Sequence, residues 1–188
     1  MKSNSYLKKI PKINQISQLA KKAGINVWLV GGFLRDIYFK LNKDLTDFDF
    51  CVEKNTEVFV KKVAKALGGK LIILDKKTSS FRVILKKDNK NYTYDFIAMR
   101  GENIEKDLSL RDFTINTLAL NLDEPDNLLD CYQGLKDLKN KKIKALSERV
   151  IVDDPLRILR GFSFAAKFGF RIDIKTLRFF RRHKKKLE

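Results

Sequence analysis

Residues 27–55 read VWLVGGFLRDIYFKLNKDLTDFDFCVEKN, and the architecture turns on their two glycines and two aspartates. An apolar run ends at Gly31 and Gly32, a helix through FLRDIYFKL follows, and TDFDFCVE then alternates polar with aromatic residues. Alternate side chains of a strand share a face, so Asp47 and Asp49 project together while Phe48 and Phe50 point to the opposite, buried face. Two carboxylates on one exposed edge form a hard oxygen site. Mg²⁺ takes one or two carboxylates together with water and substrate phosphates. The glycines stand where strand passes to helix, and without side chains they let a phosphate approach the backbone amides at the helix N-terminus. Arg35, in the first turn, can grip a phosphate oxygen with two prongs. Each feature has a plain structural alternative: a solvent-facing strand of alternating charge, a tight connection, and an Arg35 paired with Asp36 or Asp47.

Working outward, IPKINQISQLAKKAG places apolar residues at 10, 13, 16 and 19 and ends at Gly24, the pattern of an amphipathic helix with a C-terminal stop. NVWLV reads as a buried strand and NKDL as a loop. NTEVFVKKVAKAL reads as a helix that ends at Gly68 and Gly69. Strands follow at KLIIL, FRVILKK and NYTYDFIAM, the last two joined through DNKN as a hairpin. From about residue 104 the pattern turns mainly helical, with a short strand and turn in NLLDCYQGLKDLKNKKI and a firm helix in DDPLRILRGFSFAAKFGF. The expected fold class is α+β, with a head over 1–145 and the start of a helical region over 146–188.

With 188 residues, 44% of them hydrophobic and 14 of them Phe, the chain can bury a core in one domain plus an appendage. No stretch approaches the roughly 20 apolar residues of a membrane span, and MKSNSYLKKIPK lacks the apolar region of a secretory signal, so no membrane partner and a cytoplasmic location are expected. Cys51 and Cys131 have no neighbouring Cys or His, which suggests neither zinc nor a disulfide framework and reads as two small buried thiols. The net charge of +17, from 40 Lys and Arg against 23 Asp and Glu, points to a polyanionic partner. Much of it lies in KTLRFFRRHKKKLE, where Phe179 and Phe180 interleave with Lys175, Arg178, Arg181, Arg182, Lys184, Lys185 and Lys186. This run reads as an RNA contact or as a solvated basic helix face. His183, inside it, reads as a surface residue and not a base.

LVGGFLRD followed by TDFDF resembles the signature of the nucleotidyltransferase superfamily that includes polymerase-β-like enzymes, and within it the class II tRNA nucleotidyltransferase and bacterial poly(A) polymerase branch. The resemblance continues in family order through YDFIAMRGENIEKDLSLRDFTINTLALNL, LLDCYQGLKDLKNKKIKAL and VDDPLRILRGFSFAAKFGF, over roughly residues 27 to 170. It implies a polymerase-β-like head with a mixed or antiparallel sheet and flanking helices, followed by a helical neck. It makes Asp47 and Asp49 the metal-binding carboxylates, and it sets Gly31, Gly32 and Arg35 at the nucleotide's triphosphate. Asp95 falls where relatives carry a third catalytic acidic residue, the plain alternative being a pairing with a basic residue such as Arg100. In LRDFTINTLAL the resemblance assigns Arg111, Asp112 and Asn116 to the ribose and phosphates of the nucleotide, while Leu110 replaces the family's first arginine. Were this segment helical, Asp112 and Asn116 would share a face able to test for a 2′-hydroxyl; alternatively, Asp112 caps the following helix. Asp130, Gly134 and Asp137 match a turn between head and neck and read as structural.

DDPLRILR resembles the family's nucleotide-selecting motif, with Asp153 in place of the usual Glu, Asp154, Arg157 and Arg160 matching, and Ser163 where relatives have Arg. The selection chemistry follows from base edges. Cytosine and adenine each offer an exocyclic amine beside a ring acceptor, so a carboxylate and a guanidinium fit both and leave uracil and guanine mispaired. The structural alternative makes Asp154 an N-cap ahead of Pro155.

The resemblance therefore implies template-independent addition of AMP and/or CMP, from ATP or CTP, to the 3′ end of tRNA. Mg²⁺ would activate the hydroxyl, and no histidine base is required. GGKLIILDKKTSSFRVIL lacks the paired arginines of the poly(A) polymerases, which favours tRNA; a poly(A) polymerase and a non-catalytic RNA-binding module are the alternatives. The chain stops inside what looks like the neck and reads as a trimmed piece or as half of a split enzyme. Sequence leaves open which base is added and the oligomeric state.

Overall fold

The computed structural model describes residues 7–40 and 45–187. Part of the expected NKDL loop, residues 42–44, lies outside the described residues. The chain divides into two compact units, Met1–Ile104 with Ala119–Leu129, and Glu105–Leu118 with Asp130–Glu188. The division at 145 expected from sequence assigns 105–118 and 130–145 to the head, whereas in the structure they pack with the second unit.

The first unit runs α1 (Ile13–Ala23), β1 (Val27–Val30), α2 (Gly32–Tyr38), β2 (Asp47–Val52), α3 (Thr56–Leu67), β3 (Lys70–Asp75), β4 (Ser80–Lys87) and β5 (Lys90–Ala98), then β6 (Ala119–Asn121) and β7 (Leu128–Leu129). Its seven-stranded sheet has the order β3-β4-β5-β2-β1-β6-β7. Only β2 with β5 pairs in parallel, so the sheet is mixed, as expected. One face is aromatic. Phe50 stacks on Phe96 at 4.9 Å, Phe59 of α3 meets Phe96 edge-on at 6.2 Å, and Phe33 of α2 meets Phe48 edge-on at 5.1 Å. Each ring so buried contributes about 1.5–3 kcal/mol from removal of apolar surface, which fixes which side of β2 faces inward. β6 lies in a stretch expected to be mainly helical. Leu118, Ala119 and Leu120 are all fully buried, and a strand covered on both faces shows a continuous apolar run instead of the alternation that marks strands.

The second unit holds most of α4 (Ile104–Ser109), a 3₁₀ turn (Thr114–Asn116), α5 (Gly134–Lys139), β8 (Lys142–Ile143), α6 (Glu148–Asp153), α7 (Leu156–Phe168), β9 (Arg171–Ile172) and α8 (Ile174–His183). β8 and β9 form a small parallel pair. A Cβ added to Gly161 would lie 2.6 Å from Phe180 Cζ and 3.0 Å from Phe113 Cζ, so α7 can approach these rings only with glycine there.

The structure corrects several expectations in this unit. The stretch read as strand and turn contains α5, whose first turn is held by Asp130, accepting from Gly134 N at 2.6 Å and Leu135 N at 3.0 Å. A side chain on Gly134 would overlap the Thr114 carbonyl, and Asp137 is buried, accepting from Thr114 Oγ1 at 2.8 Å. The helix read from Asp153 begins at Leu156, because Asp153 closes α6. Cys51 is buried but Cys131 is exposed. His183 is not a surface residue: its side chain is 16% exposed and its Nε2 lies 2.7 Å from Glu148 Oε1.

Candidate active site

β2 exposes Asp47 and Asp49 and buries Phe48 and Phe50. Parallel pairing sets Asp49 beside Asp95 and Asp47 beside Thr93; antiparallel pairing sets Asp95 beside Arg82 and Asp49 beside Val30. Paired residues share a face, so Arg82, Asp95 and Asp49 form a row across three strands, with Asp47 one step along. Arg82 donates from Nε to Asp95 Oδ1 and from Nη2 to Asp95 Oδ2, both at 2.7 Å, a two-pronged fork. Its hydrogen bonds to Asp95 hold the guanidinium still more firmly protonated, and the charges of Asp95, Asp47 and Asp49 add to the effect against the cost of burial. Asp95 thus pairs with a basic side chain as the plain alternative required, but with Arg82. Sequence reasoning missed Arg82 because it read the hairpin loop as DNKN. Lys87 pairs with Lys90 instead, leaving a two-residue turn in which Asp88 and Asn89 both have positive φ, of 50° and 57°. Such a turn fixes the register, and counting back from it sets 82 opposite 95.

The turn from β1 to α2 depends on glycine. Gly31 sits at φ 76° and ψ −141°, a conformation closed to residues with a Cβ. Arg35 is buried and folds back over this turn: its Nη2 lies 3.2 Å from where a Gly32 Cβ would be. Its Nε donates to Asp36 Oδ1 at 2.6 Å, one of the two partners the sequence offered.

In the second unit Asp112 and Asn116 are both buried and do not share an α-helix. Asp112 precedes an extended Phe113, and Asn116 ends the 3₁₀ turn. They meet all the same. Asp112 Oδ1 accepts from Phe113 N at 2.8 Å and Asn116 Nδ2 at 2.9 Å, and Oδ2 accepts from Arg160 Nε at 2.9 Å and Nη2 at 2.7 Å. Four donors engage the lone pairs of one carboxylate, so Asp112 organises its neighbours and holds Arg160, whose side chain is 55% exposed. Arg111 Nη2 lies 3.3 Å from Asp107 Oδ2, while Arg111 Nε is a buried nitrogen with no hydrogen-bond partner, an arrangement that costs about 1–3 kcal/mol. Asp154 does take up helix-start donors, accepting from Leu156 N at 3.1 Å, and its Oδ2 also lies 3.5 Å from Arg157 Nε. Arg157 Nη1 donates to the Leu110 carbonyl at 3.0 Å, a contact indifferent to the side chain at 110. Asp154 keeps 44% of its side chain exposed.

The structure therefore gathers the expected residues into two sets. Asp47, Asp49, Asp95, Gly31, Gly32 and Arg35 belong to the first unit; Arg111, Asp112, Asn116, Asp154, Arg157 and Arg160 belong to the second. Among the described residues no group of three or more His, Cys, Asp or Glu is placed to hold a metal. With Asp95 forked to Arg82, the donor set is the exposed Asp47 and Asp49, two hard oxygen donors that fit a Mg²⁺ completing its shell with water and phosphate. No described helix is long and apolar enough to cross a membrane.

Comparison with known proteins points the same way. Residues 27–144 match the poly A polymerase head domain family. The chain is 38% identical over 167 residues to the CC-adding tRNA nucleotidyltransferase of Geobacter sulfurreducens, covering 89% of this chain and 38% of that protein. It is 30% identical over 190 residues to the A-adding tRNA nucleotidyltransferase of Halalkalibacterium halodurans, covering 93% of this chain and 42% of that one. Among solved structures, a CCA-adding enzyme in complex with ATP superposes with a TM-score of 0.86 at 32% identity, covering 99% of this chain and 45% of its own. The chain thus spans less than half the length of these relatives.

Proposed function

The chain belongs to the poly A polymerase head domain family, and on that premise we propose that it transfers AMP or CMP, from ATP or CTP, to the 3′ end of tRNA. One observation carries the reading: the face of β2 that exposes Asp47 and Asp49 lies beside β1, the strand that ends at the Gly31 turn. Asp47 and Asp49 would hold Mg²⁺, which when bound lowers the pKa of the RNA 3′-hydroxyl and offsets triphosphate charge. The remaining work falls to the chain's own groups. Gly31 and Gly32 add no side chain of their own to the turn, which favours approach of phosphate oxygens to its backbone amides. Arg35 lies against that turn with its charge. Asp95 adds its charge to the face beside Asp49.

In the second unit Asp154 accepts from the exocyclic amine of C or A, and Arg157 donates to the adjacent ring acceptor. Asp112, itself held by Asn116, steadies Arg160, and Arg111 serves the ribose and phosphates. Catalysis is then positioning plus charge stabilisation, with no protein base. The names of the relatives favour tRNA over a poly(A) tail. A cytoplasmic location belongs to the same reading.

The test uses tRNAs ending before, within and just short of CCA, each NTP supplied separately with Mg²⁺, and products resolved at single-nucleotide length. Addition that stops after one to three nucleotides on tRNA supports the reading. Long A tails on generic RNA would make the chain a poly(A) polymerase, and incorporation unchanged in Asp47→Ala and Asp49→Ala would make it an RNA-binding module.

A further inference from the structure

A cation already stands among the carboxylates of the first unit. Arg82 reaches across from β4 and occupies both oxygens of Asp95, one strand away from Asp49. We infer that Arg82 is a built-in counter-ion of this face: it withholds Asp95 from a divalent cation, leaves Asp47 and Asp49 as the pair that binds it, and so sets how tightly it binds. The inference deepens the functional reading above and rests on its assignment of Asp47 and Asp49 to the metal.

The geometry argues against a purely structural role for the pair. Arg82 and Asp95 are 38% and 28% exposed, and ion pairs so open to water add little to stability. β4 and β5 are already joined by an unbroken antiparallel ladder from Ser80 with Ile97 to Lys87 with Lys90. What the pair does change is charge. With Arg82 in place the four side chains carry two net negative charges, which one divalent cation neutralises; without it they carry three. Diagonal and adjacent neighbours on a sheet face lie about 5–8 Å apart, within a Debye length, so the difference is felt at the cation. The fork also engages both Asp95 oxygens with charge-assisted hydrogen bonds, so recruiting Asp95 as a ligand requires breaking two of them.

The test is a Mn²⁺ titration of the whole chain without nucleotide, read by the electron paramagnetic resonance of free Mn²⁺. Quenching of Trp28, the sole tryptophan, gives a second readout; it stands on β1 opposite Cys51, two positions from the Val30 and Asp49 pair. Arg82→Gln should tighten Mn²⁺ about tenfold, and Asp95→Asn, which strands the guanidinium, should weaken it by a similar factor. The double variant restores the charge balance and should bind within about threefold of the parent. Thermal melts establish folding first; should a single variant fail to fold, the double variant, which removes both partners together, carries the test. An Arg82→Gln affinity unchanged or lowered overturns the inference, as does a double variant as weak as Asp95→Asn, since Asp95 would then be a ligand. If Asp47→Ala abolishes binding while Arg82→Gln leaves it unmoved, the inference alone fails. If the parent binds no Mn²⁺, both the inference and the functional reading fall.

Discussion

Asp49 in the first unit and Asp112 in the second are both motif carboxylates, yet their surroundings differ. Asp49 is on the exposed side of a strand whose other side is a wall of buried rings. Asp112 is 6% exposed and takes hydrogen bonds from a backbone amide, an asparagine and both prongs of an arginine. An exposed carboxylate can be reached by a cation from solvent, whereas a saturated buried one has become part of the framework. The contrast separates the two ways a charged residue serves a site, by meeting the ligand and by fixing what meets it.

The contrast breaks most visibly at the exposed carboxylates of β2. Asp47→Ala and Asp49→Ala should each lower nucleotide incorporation about a thousandfold, about 4 kcal/mol in barrier, while leaving the melting temperature nearly unchanged because neither side chain is buried. A large loss of stability in either would show that the strand depends on them. Asp112→Ala should do the reverse in proportion. It strands Phe113 N in the interior at a cost of about 1–3 kcal/mol and removes the hydrogen bond from Asn116 Nδ2, about 1 kcal/mol more, while the half-exposed Arg160 arm adds little, for a loss of about 3 kcal/mol in urea unfolding. Gly161→Ala, which alters no charge, sharpens the comparison from the packing side. The new methyl meets Phe180 and Phe113, and about 2 kcal/mol of destabilisation is expected from the same measurement.

The same division governs what could be read from sequence. Period-two alternation in TDFDF gives the exposed faces of Asp47 and Asp49 directly, because the aromatic residues state which side is buried. The helix stops at Gly24 and Gly68 are legible for a local reason: both residues adopt the left-handed conformation that ends a helix. What was not legible depends on partners distant in the chain. The fork from Arg82 to Asp95 needs the hairpin register, the saturation of Asp112 needs Arg160 from 48 residues away, and β6 hides in an apolar run that lacks alternation. His183 reads as surface in the sequence because its partner, Glu148, lies 35 residues earlier.

Glu148 stands between the two cases and gives the smallest effect. It is exposed enough to be solvated, yet Arg182 Nη1 donates to its two oxygens at 2.7 and 2.9 Å and His183 Nε2 lies 2.7 Å from Oε1. The hydrogen bond with His183, then that from Arg182, holds its carboxyl below the ordinary value of 4.5. A carboxylate with a depressed folded pKa contributes stability that is fully present above its unfolded pKa and is lost as pH falls through the folded one. The window therefore lies below about pH 4.5, and solvent screening keeps the effect small. Glu148→Gln removes the titrating group, so the gap in urea midpoint between parent and variant should be steady above that window and narrow as the pH falls to about 3. A gap that stays constant through the window would mean that Arg182 and His183 do not depend on the ionised carboxylate, and Glu148 would then belong with the solvated charges instead of the framework.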